Sequence, residues 1–565
     1  MKKINARQFL IFAVCTLTAN KPLWGQTKVE SKWFNLILGR PTDSTITLSL
    51  LPLWDLNLYI EYRLSYVRDW SKTESKNVNS GIPELFQLAN LSPDSRYQYR
   101  VIYRDNPTQP YSTGEEHRFC TQRSPTQPFI FTIEADPHPY DKKGCHRLWD
   151  ICLRNQLQDS ADFIFDLGDT FGDDHNPYTI TSEEMRQLRL EGRTHLSQVC
   201  HSLPLYFCLG NHEGESGYYL LQTPPDNLAV YSTLWRKYYF PNPEPNDFYA
   251  GNDTLEAYDM DLVQNYYAWQ WGDALFVVLD AYRYYTVSAK PRGWDWTLGK
   301  TQYNWFQQTL ANSTAKFKFV FCHHVLGETR GAIAVAKGYE WGGYENDNRT
   351  WGFAKNRPDW EMPVHQLMVK YGVTVFFQGH DHLFAKEELD NVVYQTVPMP
   401  SDSTYLIGMR DNGDAFTDVK INGAGHLRVS VSATKATVEY VRAWLPESES
   451  AEHKNGEIAY SYSIVPRVTL IKETKTAANE FVLQQNYPNP FNPATSIRFS
   501  LAVTEHVVLT IHDALGRELA TLLDETLSPG CYSVPWQPQG MCSQILFFQL
   551  TSRDHTLVKK AMYLK

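Results

Sequence analysis

Residues 376–385 read FFQGHDHLFA, and the fold turns on what this stretch is for. The hydrophobic run GVTVFF that leads into it reads as a buried strand, which ends in a glycine and two histidines one residue apart, His380 and His382. A single GHxH occurs by chance, and a lone histidine at a strand end is more often a hydrogen-bonded structural residue. If these two imidazoles hold a metal, other ligand-type residues must close other strand-like runs.

Four other segments meet that condition. FIFTIEADPH brings Asp136 and His138 to the end of one run, and DFIFDLGD ends in Asp169. PLYFCLGNHE places Asn211 and His212 after another, and FKFVFCHH delivers His323 and His324. Helical patterns lie between the runs: Leu148, Cys152 and Leu153 share one face, as do Trp305, Phe306 and Leu310. Strand alternating with helix predicts an α/β layer structure, in which ligands collect at the carboxyl ends of strands. Packing alone does not explain five such segments. Carboxylates, neutral imidazoles and an amide oxygen suit divalent Zn, Mn or Fe. One aspartate shared between two ions makes a pair about 3.5–4 Å apart, an arrangement used for hydrolysis at phosphorus.

Taken together, DPH, GDT, GNHE, a late His-His pair and GHDH resemble the calcineurin-like metallophosphoesterase superfamily over roughly residues 128–470. The resemblance implies an α/β/β/α sandwich with two divalent metal ions. Asp136, His138, Asp169 and His382 would hold one ion. Asp169, Asn211, His323 and His380 would hold the other, with Asp169 bridging. His212 is then the candidate catalytic residue, orienting the phosphate and protonating the leaving group as metal-bound hydroxide attacks phosphorus in line. His324 and Arg330 are candidate substrate contacts, and Lys337 and Trp341 lie in the same glycine- and aromatic-rich stretch. The Asp173-Asp174-His175 cluster reads equally well as support for the site or as a solvated turn.

Residues 27–122 alternate apolar and polar residues between turns, which predicts a β-sandwich. LSPDSRYQYRVIYRD, with Tyr97 and Tyr99 after a Pro-Asp turn, resembles the tyrosine-bearing corner of fibronectin type III-like modules. Such a module ahead of a metallophosphoesterase domain resembles the layout of purple acid phosphatases. The purple branch has DxG where Asp136-Pro137-His138 stands, and a tyrosine where Gly172 stands, so the resemblance carries no purple colour and no required ferric iron.

The first 26 residues pair lysines and an arginine with a short apolar stretch, the layout of a secretory signal peptide. Residues 471–480, around KETKTAANE, read as a polar linker. From 481 to 565 the pattern is strand-like again. NYPNPFNPATSIRFSL and the ending VKKAMYLK resemble the C-terminal sorting domain of the type IX secretion system. That resemblance implies type IX machinery as a partner and a secreted or cell-surface location.

A net charge of −10 without a basic block argues against nucleic acid as a partner, and no later segment is apolar enough for a transmembrane helix. Cys145, Cys152, Cys200, Cys208 and Cys322 fall mostly in apolar runs and read as buried thiols, while Cys531 and Cys542 are close enough in sequence to pair. The whole reads as a multidomain exported hydrolase of small phosphate esters, foremost a phosphomonoesterase of acid-phosphatase type. A phosphodiesterase or nucleotide hydrolase is the alternative, and a non-catalytic surface binding protein is the third reading.

Overall fold

The apolar run before His380 forms the strand Val375–Gln378, buried at every residue, as a central strand between two layers must be. It belongs to an eight-stranded sheet ordered Ala250–Gly251, Tyr267–Trp271, Ala274–Val278, Phe317–Phe321, Val375–Gln378, Val392–Thr396, Phe384–Leu389 and Val419–Ile421. The four strands from Ala274–Val278 to Val392–Thr396 run parallel. A six-stranded sheet faces it, ordered Leu205–Phe207, Phe163–Asp166, Phe129–Glu134, Gly425–Val431, Ala436–Arg442 and Ile458–Ile464. Its first three strands are parallel.

The computed structural model describes residues 32–140, 143–171, 179–224, 226–285, 287–325, 327, 329–407, 415–466, 471–473, 480–492, 495–536, 538 and 542–564. The signal-like segment 1–26, Gly172 and the Asp173-Asp174-His175 cluster lie outside the described residues.

Aromatic rings fill the space between the two sheets. Phe165 stacks on Phe321 with centroids 3.9 Å apart, and Phe131, Phe163, Phe276, Phe319 and Phe377 pack around them. The helices His146–Gln158 and Ser182–Cys200 cover the outer face of the six-stranded sheet, burying Trp149, Leu153, Leu196 and Val199 against Ile164 and Phe207. Lys300–Asn312 and Val364–Lys370 cover the other sheet through Phe306, Leu310, Leu367 and Met368. The layers are therefore helix, sheet, sheet, helix. Parallel strands end together, so the turns after Glu134, Asp166, Phe207, Phe321 and Gln378 meet at one edge.

The N-terminal region is a two-sheet sandwich. Phe34–Gly39, Ile46–Pro52 and Glu84–Leu88 face a sheet built on Leu56–Leu64 and Arg96–Arg104, with Leu36, Leu48, Leu58, Tyr99 and Val101 in its core. The Tyr97 hydroxyl accepts from Ser92 N–H at 2.7 Å. Alternation predicts a solvated outer face, but Ile46–Pro52 is buried at every residue. The helix Ser182–Cys200 lies against that face. Its fully buried Arg193 donates to Asn35 Oδ1 (2.6 Å), Ser49 Oγ (3.1 Å), Ser49 O (2.9 Å) and Tyr239 O. Burial pulls the Arg193 pKa down to about 9.

The C-terminal region packs two four-stranded antiparallel sheets around Ile497, Phe499, Leu509, Ile511, Val534 and Phe548. Ile471–Glu473, expected as linker, instead forms an edge strand paired with Gly530–Trp536. Edge pairing uses backbone groups, so a polar sequence does not prevent it. Cys152, Cys200, Cys208 and Cys322 are buried thiols, whereas Cys145, expected to join them, is half-buried. Among the described residues no helix is long and apolar enough to cross a membrane.

Candidate metal centre

Each turn at the shared edge bends sharply. Asp136 (φ 56°), His138 (30°), Asp169 (57°), His380 (67°) and His382 (61°) all adopt left-handed backbone conformations that non-glycine residues seldom take. Strain of this kind costs about 1–3 kcal/mol per residue and collects where function over-determines the geometry. The flanking glycines allow the close approach: a Cβ on Gly379 would stand 2.5 Å from Asp136 Oδ2, and one on Gly210 would overlap Asp169 Oδ1.

The side chains converge on a buried cluster. Asp169 Oδ2 lies 3.1 Å from His323 Nε2, 3.5 Å from His138 Nε2 and 4.0 Å from His212 Nε2. Asp136 Oδ1 lies 3.5 Å from His382 Nε2, 3.7 Å from His323 Nε2 and 3.9 Å from His138 Nε2. Three overlapping ligand-type groups follow: Asp136 with His138 and His382, Asp169 with His323 and His380, and His138 with Asp169 and His212. Asn211 is buried in the turn Asn211–Glu213 beside Asp169.

The donor set fits a pair of divalent ions. Asp136 Oδ1, His138 Nε2, Asn211 Oδ1, His323 Nε2 and His380 Nε2 are buried and have no hydrogen-bond partner. Leaving so many buried polar atoms unmatched would cost about 1–3 kcal/mol each. Their other atoms are committed. His323 Nδ1 donates to Leu167 O (2.8 Å), which leaves the Nε2 lone pair facing the carboxylates. Asp136 Oδ2 accepts from His380 N–H (2.7 Å), and Asp169 Oδ1 accepts from His212 N–H (2.7 Å). Burial alone would raise the Asp169 pKa, but His323 and His212 outweigh it and hold the carboxyl well below its usual range. Burial keeps His380 neutral, with His324 and Arg330 adding to that.

Glu213, which the sequence reading left without a role, ties two of these turns together. Its carboxylate is fully buried and accepts from Asp169 N–H (2.9 Å), Thr170 N–H (2.8 Å) and Gly210 N–H (2.5 Å). The available signal was the carboxylate closing GNHE, since a buried charge next to a ligand needs fixed partners.

The other candidates are placed as follows. The His212 ring is 15% exposed and meets His138 edge-on at 5.1 Å. His324 is fully buried, donates to Gly331 O (3.0 Å) and packs on the His380 ring at 4.7 Å. Arg330 reaches the centre and donates to His380 O. Trp341 is a core residue bonded to Tyr394 Oη (3.2 Å), and Lys337 is exposed.

Comparison with known proteins agrees with this fold. Residues 130–384 match the family model described as calcineurin-like phosphoesterase. No curated protein matches the chain. A purple acid phosphatase from yellow lupin (Lupinus luteus) seeds superposes with TM-score 0.52 at 15% identity, covering 76% of this chain and 74% of that one. The structure of PhoD superposes with TM-score 0.54 at 14% identity, covering 79% and 92%. The central region has the metallophosphoesterase fold.

Proposed function

We propose that the protein is an exported phosphomonoesterase with a dinuclear metal centre. Asp136, His138, Asp169 and His382 hold one ion in this reading. Asp169, Asn211, His323 and His380 would hold the second, with Asp169 shared by both sets. The observation that carries the proposal is the set of buried, unmatched acceptor atoms facing one another across the Asp136–Asp169 pair.

Two divalent ions in such a site lower the pKa of water to near neutrality and offset the charge of a phosphoryl group. The chain's own residues supply the rest. His212 is held by its backbone bond to Asp169 and is the most exposed ring of the cluster, so it meets the ester from the open side and donates a proton to the leaving oxygen. Arg330 adds a fixed positive charge beside His380, which favours a dianionic monoester over a monoanionic diester.

The N-terminal sandwich reads as fibronectin type III-like, supported by the Tyr97–Ser92 contact. The signal-like first 26 residues and the NYPNPFNP opening of the C-terminal sandwich support export and sorting by type IX machinery to the surface or medium. Turnover of paired aryl phosphate monoester and diester substrates tests the assignment. Faster monoester turnover is expected. Diester preference would move the protein to the phosphodiesterases, and no turnover of either with any divalent ion would favour a binding role.

A further inference from the structure

A second cluster of metal-ligating side chains lies outside the central site, between the helices His146–Gln158 and Ser182–Cys200. His146 Nδ1 stands 3.0 Å from His195 Nε2 and 3.8 Å from Glu191 Oε1. The three ligand atoms lie within 4.8 Å of one another. Glu191 and His195 are four residues apart, on one face of their helix.

The surroundings prepare the two rings. His195 Nδ1 donates to Asp150 Oδ1 at 2.6 Å, and Asp150 is also held by Gln198 Nε2 at 2.6 Å. A carboxylate on one ring nitrogen fixes the tautomer and turns the other nitrogen's lone pair outward, as it does for metal-ligating histidines. Trp149 stacks on His195 with centroids 4.6 Å apart, and Tyr140 meets His146 edge-on at 5.3 Å. His146 and Glu191 are 43% and 44% exposed, so an ion can enter from solvent and keep a water ligand. Bonds of about 2.0–2.1 Å from one zinc ion reach ligand atoms about 3–3.4 Å apart. The His146–His195 spacing fits that range.

We propose that His146, His195 and Glu191 form a separate surface site for a single divalent transition metal, with Asp150 as the residue that positions His195. Two imidazoles and one carboxylate favour ions of zinc-like softness over calcium or magnesium.

The test uses the full chain, dialysed against buffered free Zn²⁺, with bound zinc counted by mass spectrometry. Wild type should bind one zinc more than His146→Gln or Glu191→Gln. Both changes are at half-exposed side chains, and hydrolysis should be unchanged in each. Asp150→Asn should keep the extra zinc but bind it about 10–100-fold more weakly. The readout is the difference between proteins, and it should persist when Asp169→Ala is added, so it does not depend on the central site. Equal zinc in wild type and both Gln variants would overturn the proposal and leave a hydrogen-bonded imidazole pair.

Discussion

Replacing Glu213 by glutamine tests whether the turns carrying Asp169 and Asn211 are held by one carboxylate. Glu213 Oε2 accepts from Asp169 N–H (2.9 Å) and Gly210 N–H (2.5 Å), while Oε1 accepts from Thr170 N–H (2.8 Å). Glutamine keeps one acceptor oxygen and turns the other into a donor. Whichever way its amide faces, at least one backbone N–H meets another donor. If the amide faces Asp169 and Gly210, two buried donors lose their partner, at about 1–3 kcal/mol each. The strain falls on the two residues that place Asp169 and Asn211, so much of it should appear as weakened metal binding. We expect affinity at the central site to fall about 10–100-fold, as for other groups that orient ligands. Chelator competition on Glu213→Gln and wild type would measure it, with circular dichroism to verify the fold. Affinity unchanged within about twofold would refute the reasoning, because a ligand turn indifferent to these bonds is not held by them.

Replacing His212 by alanine should leave the metal content intact and lower turnover of an aryl phosphate by about 10²–10⁴-fold, read by paired metal analysis and kinetics. Arg193→Met should strand the acceptors at Asn35, Ser49 and Tyr239, lowering the thermal midpoint and exposing the N-terminal sandwich to proteolysis; the cost is at least about 3 kcal/mol. Asp159 accepts from His426 Nε2 and Arg428 Nη1 at 2.7 Å each. Burial would raise its pKa, but His426 and Arg428 outweigh burial and lower it. A depressed carboxyl pKa stabilises the fold above the unfolded value of about 3.9, and that stability is lost as pH falls through the folded value. The difference in thermal midpoint between wild type and Asp159→Asn should therefore shrink as pH falls below about pH 4.

The ligand-bearing turns were legible because each closes an apolar run long enough to read as a buried strand. DPH, GD, GNH and GHDH sit where parallel strands end, and the helix–sheet–sheet–helix layering brings those ends to one edge. Features set by the packing of distant segments were not legible. Thr47 and Ser49 alternate with leucines and isoleucine as a half-exposed strand should, yet both are buried and Arg193 of the Ser182–Cys200 helix bonds Ser49. Trp341 sits in a loop-like stretch of glycines and aromatics, and only the fold reveals that it packs into the core beside Tyr394. His324 adjoins a ligand in sequence, but the chain turns its ring inward to Gly331 O. The strand Ile471–Glu473 has no hydrophobic signature because it pairs at an edge.

Metal content of the wild-type chain beside Asp169→Ala tests the central claim most directly. Asp169 stands between both ligand groups, so its loss should lower bound metal by two ions per chain and abolish hydrolysis of phosphate esters. Equal metal content in the two proteins would mean that the buried carboxylates and imidazoles at the strand ends do not form a dinuclear centre, and the hydrolase assignment would fall with it.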